Sequence, residues 1–188
     1  MRDLVLQMGV SVDGYVAGGP ERKGHVARPA EHADVTAWKV ERLRRVGLHI
    51  RGRVTYEQMA AHWPTAGGVY APLMNDIPKA VFSKTLRSAD WPESRIMSGD
   101  LEEDVGRLKN EPGGDILVHG GAAFVQALSR RRLIDEYHLV TQPVALGSGM
   151  PMFADLREPL DLDLQEGQAF PDGTLISVYR THRTRIRS

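Results

Sequence analysis

Four features carry the residues that could do chemistry, three short stretches and one histidine within the first of them. The first is His119-Gly120-Gly121, which follows the aliphatic run Ile116-Leu117-Val118 and precedes the helix-forming run Ala122-Ala123-Phe124-Val125-Gln126-Ala127-Leu128. A strand that turns on glycines into a helix offers free backbone N–H groups and the positive end of the helix dipole, and the missing side chains let a phosphate come close. The same residues also describe a tight turn that needs φ > 0 and binds nothing. The second stretch is Gly52-Arg53-Val54-Thr55, where Arg53 supplies charge and Thr55 a hydroxyl to an anion, or else a solvated charge and a helix cap. The third is Ser83-Lys84-Thr85, two hydroxyls flanking a lysine. The fourth is His119 itself. Histidine is the side chain that near neutrality donates a proton or polarises a carbonyl; packed neutral with its N–H on a backbone carbonyl, it would be structural.

The elements that must position these residues follow from periodicity. Leu4 to Val10 reads as a first, central strand, and the run from Ser11 to Pro20 as the turn out of it. Residues 18–30 form a glycine-rich connection, read either as a binding lid or as exposed filler. Val35, Trp38, Leu43 and Val46 recur at helical spacing over Ala33 to Val46, and Gly47 is read as that helix's stop. Leu48-His49-Ile50 is a short strand, residues 60–78 are irregular, and Lys79 to Phe82 is a strand. Arg95-Ile96-Met97-Ser98-Gly99 is a weaker strand, and Leu101 to Asn110 is a helix stopped by Pro112 and Gly113. Ile134 to Pro143 is a long strand, and Leu146 to Phe153 is a glycine-rich connection. Leu160 to Glu166 and Thr174 to Arg180, joined through Pro171-Asp172-Gly173, make an antiparallel edge hairpin. The three anion-seeking stretches thus fall after Ile50, Phe82 and Val118, at strand carboxyl ends, where ligands collect in open α/β sheets.

Composition sets outer bounds. The chain has 188 residues, enough for one domain with a sizeable core, and is expected to be a single domain over 1–188. Its 24 Lys+Arg balance 24 Asp+Glu, which gives no global charge for nucleic acid or an acidic membrane surface. The run Ser129-Arg130-Arg131-Arg132 ends a helix, where positive charge complements the dipole. The absence of cysteine removes disulfides and thiolate metal sites, and no metal is expected. Nothing resembles a signal peptide or a membrane span, so the default location is cytoplasmic.

Five motifs in order carry a family resemblance: Ser11-Val12-Asp13-Gly14-Tyr15-Val16-Ala17, Gly52-Arg53-Val54-Thr55-Tyr56-Glu57, Phe82-Ser83-Lys84-Thr85, His119-Gly120-Gly121-Ala122, and Pro143-x-x-Leu146-Gly147-x-Gly149-x-x-x-Phe153. Together they resemble the dihydrofolate-reductase-like superfamily. The stand-alone relatives of the C-terminal reductase domain of the riboflavin-synthesis bifunctional deaminase-reductase are the nearer likeness, over about residues 3 to 180. The resemblance implies an α/β three-layer sandwich with a mixed, mostly parallel sheet of about eight strands and an antiparallel C-terminal hairpin. It further implies NADPH as cofactor, hydride transfer to a small heterocyclic or carbonyl substrate, and often a homodimer.

Position by position, it places Val16 and Ala17 in the loop over the nicotinamide, Arg53 and Thr55 on the phosphates, and Ser83 and Lys84 on the adenosine 2′-phosphate. Gly120, Gly121, Ala122 and Ala123 match the pyrophosphate turn, with Phe124 one step inside the helix. His119 falls beneath the nicotinamide, where it would assist protonation. Asp34 resembles the acid that holds the pterin in true dihydrofolate reductases, and reads equally as a first-turn residue complementing the dipole. Those enzymes carry Leu/Met-Pro-Trp in the lid loop, which Pro20-Glu21-Arg22-Lys23-Gly24-His25 lacks. Tyr15 and His119 stand where the riboflavin enzymes tend to have Lys and Glu. A nucleotide-binding module without turnover and a true dihydrofolate reductase are the alternatives. Apolar surface between the long strand and the Leu160 to Leu164 segment is where a homodimer is expected.

Overall fold

The computed structural model describes residues 1–18 and 32–182. Its centre is an eight-stranded sheet built from β1 (Leu4–Ser11), β3 (Val46–Gly52), β4 (Lys79–Phe82), β5 (Ser94–Met97), β6 (Asp115–Val118), β7 (Glu136–Gln142), β9 (Leu162–Ala169) and β10 (Leu175–Thr181). The strand order is β5-β4-β3-β6-β1-β7-β10-β9. The first six run parallel, β10 is antiparallel to β7, and β9 closes the edge antiparallel to β10. The expected mostly parallel sheet with a C-terminal antiparallel pair is what the chain forms. β1 sits between β6 and β7, covered on both faces, which is why its sequence is nearly continuous apolar.

Five helices connect the strands: α1 (Ala33–Leu43), α2 (Arg53–Ala60), the short α3 (Ala71–Asn75), α4 (Leu101–Asn110) and α5 (Ala122–Arg130). On one face, Val105 and Leu108 of α4 and Val125 and Leu128 of α5 pack on Leu4, Leu6, Ile50 and Val118. On the other, α1 packs through Leu43 on Val5 and Leu117, and Tyr56 of α2 joins Met74, Val81 and Trp91. Among the described residues no helix is long and apolar enough to cross a membrane.

Four sequence expectations are corrected. Helix α1 ends at Leu43 rather than Val46, because Val46 and Gly47 already belong to β3. Gly47 is therefore no helix stop: a Cβ there would lie 2.7 Å from the backbone N of Gly114, so glycine serves close strand contact with the segment entering β6. The segment 60–78 is not wholly irregular, since Trp63–Thr65 forms a 3₁₀ turn and α3 follows. The turn after β1 and the later glycine-rich connection each contain a strand, β2 (Tyr15–Gly18) and β8 (Gly149–Pro151), which pair antiparallel as a separate ribbon. Gly149 has φ +148°, and a Cβ there would lie 2.1 Å from the carbonyl O of Ala17. Only glycine lets the two backbones meet.

Candidate active site

Three adjacent strands, β4, β3 and β6, end side by side and deliver the three anion-seeking stretches to one rim. After β6, Gly120 (φ +139°) and Gly121 (φ +78°) turn the chain into α5, and Gly121 is its N-cap with no side-chain capping bond. The first-turn amides of an α-helix have no intrahelical acceptor, so this turn presents N–H groups at the dipole's positive end. A Cβ on Gly121 would sit 2.6 Å from Thr55 Oγ1 of α2. Thr55 therefore rests on the glycine turn, and a side chain there would push them apart. Phe124 packs on Gly52, where a Cβ would meet its Cβ at 3.4 Å, and on Phe82, with ring centroids 5.1 Å apart. Ala122 is partly buried and Ala123 exposed on the same first turn.

Past β4, Ser83 Oγ accepts the N–H groups of Thr85 (3.2 Å) and Leu86 (2.9 Å), fixing a turn that leaves Lys84 exposed. Arg53 is exposed and its Nη1 donates to Glu57 at 3.0 Å, a one-turn surface pair that holds weakly and leaves the guanidinium available to a stronger acceptor. The residues fit a nucleotide's phosphates: uncapped amides, a cradle that a Cβ would fill, a hydroxyl and two cations within one rim.

Val16 lies in the core at 2% exposure, and half-buried Ala17 pairs with Met150. The ribbon they belong to is held in two ways. Gln126 of α5 donates to the carbonyl O of Pro151 at 2.7 Å. The Asp13 carboxylate accepts from Ser11 Oγ (2.6 Å) and from the N–H groups of Leu146 (3.1 Å) and Gly147 (2.7 Å). The Ser11 bond, then those of Gly147 and Leu146, bring the Asp13 carboxyl down to about 2. Sequence reasoning gave Asp13 no role of its own; its signal is a carboxylate two residues past a strand-end serine.

Beside this rim opens a cleft of about 390 Å³ between the sheet, α1, α2 and the 63–74 segment. Gln7, Gly9 and His119 form part of its floor, and Met59, Trp63, Tyr70, Met74, Leu43 and Lys39 its walls. His119 is half-buried, its ring 5.1 Å from that of His49, and its Nε2 is buried without a hydrogen-bond partner. Burial first, then the neighbouring His49, Arg51 and Lys39, hold it well below the usual histidine range, so the ring is neutral at pH 7. Behind it on the same face, His49 Nε2–H donates to the carbonyl of Leu73 (3.1 Å), and burial brings the ring down to about 3. Asp34 does not line this cleft. It is exposed, its carboxylate 3.5 Å from His32 Nδ1, and it lies five residues before Lys39, about 140° around the helix. The lid segment Pro20 to His25 lies outside the described residues. Among the described residues no cluster of His, Asp or Glu is placed to hold a metal ion.

Residues 2–176 match a family model, that of the RibD C-terminal domain. The chain belongs to the RibD C-terminal domain family. The Bacillus subtilis protein YwjB, itself uncharacterised, is 39% identical over 180 residues, which are 95% of this chain and 98% of that one. In fold, this RibD C-terminal domain protein superposes with TM-score 0.76 on a candidate riboflavin biosynthesis protein from Shewanella sp. PV-4, at 21% identity over 97% of this chain and 100% of the other. It also superposes with TM-score 0.69 on the diaminohydroxyphosphoribosylaminopyrimidine deaminase/5-amino-6-(5-phosphoribosylamino)uracil reductase of Thermotoga maritima, at 14% identity. That match covers 96% of this chain and 57% of the bifunctional protein. The fold is thus shared with both proteins.

Proposed function

We propose that this protein is an NADPH-dependent reductase that passes hydride to a small, flat heterocyclic or carbonyl substrate. The observation that carries the reading is the continuity of residues 119–121: the glycine turn fit for a pyrophosphate and the histidine of the apolar cleft are consecutive, so a bound cofactor and a substrate in the cleft would meet at one strand end. In this reading Gly120, Gly121, Ala122, Ala123 and Phe124 hold the pyrophosphate, with Arg53 and Thr55 beside it. Ser83 and Lys84 take the 2′-phosphate, and the ribbon strand with Val16 and Ala17 borders the nicotinamide. When bound, NADPH would supply the hydride; the chain supplies orientation, exclusion of water and hydrogen bonds. His119, kept neutral, acts as a hydrogen-bond donor that polarises the substrate rather than as a charged acid. Asp34 in this reading complements the α1 dipole.

A homodimer is part of the proposal. β9 is an edge strand, and Leu164 on it and Leu175 on the neighbouring β10 are 60% and 45% exposed. The test of function is NADPH consumption against a panel of pterins, pyrimidines and quinones. Turnover with one class supports the reading, whereas NADPH binding without turnover across the panel makes the protein a nucleotide-binding module.

A further inference from the structure

The floor of the cleft is more polar than a central sheet allows without reason. Four adjacent strands, β7, β1, β6 and β3, each place a polar residue at one level on one face. Gln7 pairs in register with His138, and Leu6 and Ile50 both pair with Val118, so the next residues Gln7, His119 and Arg51 stand side by side. One step back along the same face the two middle strands β1 and β6 carry apolar Val5 and Leu117, while the flanking β7 and β3 carry Glu136 and His49, so the middle strands turn polar only at the level of Gln7 and His119.

These polar groups lack acceptors. Arg51 is 0% exposed and Gln7 6%. Arg51 Nε and Nη2, Gln7 Nε2 and His119 Nε2 are all buried without a hydrogen-bond partner among the described residues. Arg51 Nη1 meets only the Met59 sulfur, and the guanidinium lies over the Trp91 ring at 4.9 Å. No carboxylate pairs with it among the described residues, and burial pushes it down to about 10. Lys79, equally buried on the same side, shows the contrast: its ammonium donates to the carbonyls of Asn75 and Pro92. A buried cation with no counter-ion, beside buried donors with no acceptor, destabilises a fold and persists where a ligand completes it.

The walls state the rest of that ligand. Trp63, Tyr70, Met59, Met74 and Leu43 are flat or pliable apolar surfaces, suited to the faces of a ring. We infer that the cleft binds the oxyanion edge, a carboxylate or a ring enolate oxygen, of a flat conjugated ring, with Gln7 and His119 donating to it and Arg51 supplying positive charge from behind Met59. This rests on reading the cleft as the substrate site and narrows that substrate from any flat carbonyl compound to an acidic one. A cationic ring of the same size is excluded by the same charge.

The test is calorimetric titration of the full chain without cofactor. The probes are naphthoate for a carboxylate, hydroxynaphthoquinone for a ring oxyanion, and naphthalenemethanol and naphthylmethylammonium as neutral and cationic controls. At least one oxyanion should bind on the order of tenfold or more tighter than the alcohol, and the ammonium should not bind. Arg51→Met should bring the oxyanion and the alcohol within about threefold of one another while its Tm stays level or rises, because an unpaired buried charge has been removed. Gln7→Leu should weaken the oxyanion alone, and it carries the test if Arg51→Met does not fold. Equal binding of alcohol and oxyanions, no saturable binding of either oxyanion, or an oxyanion preference that survives both substitutions overturns the inference. NADPH titrated into the same preparation keeps the two readings apart. NADPH binding without oxyanion preference leaves the reductase standing, and oxyanion preference without NADPH binding leaves only the anion cleft.

Discussion

At the scale of single residues, burial decides which group does what. His119 and Asp34 are the two candidates for assisting proton transfer, and only His119 stands in the cleft. His119→Ala should lower kcat with the identified substrate by about 10² or more, the loss expected of a positioned proton-transfer or polarising group, and Asp34→Asn should leave it within a few-fold. A loss of that size in Asp34→Asn, measured by NADPH consumption, would reverse the assignment. The same burial writes a signature into stability. His49, held at about 3 when folded against 6.5 for a histidine in the unfolded chain, binds a proton only on unfolding between those values. The unfolded state therefore takes up more protons, and stability rises with pH through that window, by about 1.4 kcal/mol per pH unit for one such histidine. Its contribution is complete above about 6.5 and is lost as pH falls toward 3. Urea unfolding of the parent and of His49→Gln at pH 7 and pH 5 should show a smaller pH difference in the variant; equal differences would mean that His49 does not remain neutral.

At the scale of elements, the ribbon of β2 and β8 is fastened by the Asp13 carboxylate as well as by Gln126 of α5. Asp13, ionised down to about 2, accepts N–H groups from Leu146 and Gly147, so the clasp is intact across the neutral and mildly acidic range and opens only as pH falls toward that value. Asp13→Ala should raise the NADPH Kd by roughly tenfold through loss of loop order while the Tm of the core changes little; an unchanged Kd would show that the ribbon does not border the cofactor. The sequence announced the strands well and this ribbon not at all. Period-two and aliphatic runs such as Leu4 to Val10 mark strands by composition, but Tyr15–Gly18 and Gly149–Pro151 are four and three residues long, too short for any period, and exist because Gly149 admits the facing backbone. The glycine turn at 120–121 was legible because free amides and helix onset both show in residue types. The polar floor was written in Leu48-His49-Ile50-Arg51, an alternation that ordinarily marks a solvent face. Only the tertiary neighbours β6 and β4 reveal that this face is buried.

At the scale of the whole molecule, one sheet carries two features: its parallel strands end on the phosphate-fitting rim and the cleft, and among the described residues β9 is its antiparallel edge strand. If two copies associate through that edge, Leu164→Glu should shift the light-scattering mass at micromolar concentration from dimer to monomer without lowering Tm; a parent protein that elutes as a monomer contradicts the pairing. That the rim around Gly121 holds a phosphorylated nicotinamide cofactor is the proposal on which the reductase reading depends. Its most direct measurement is a fluorescence titration of NADPH and of NADH into the parent protein, Gly121→Ala, Arg53→Ala and Lys84→Ala. Two charge-assisted contacts to the 2′-phosphate, worth roughly 1.5 to 3 kcal/mol each when partly desolvated, predict that the parent prefers NADPH by on the order of a hundredfold. Lys84→Ala should weaken NADPH far more than NADH, while Arg53→Ala, beside the pyrophosphate, and Gly121→Ala, whose Cβ would meet Thr55, should weaken both. Equal affinity of the parent for the two cofactors, or binding undisturbed in Gly121→Ala, would contradict the account.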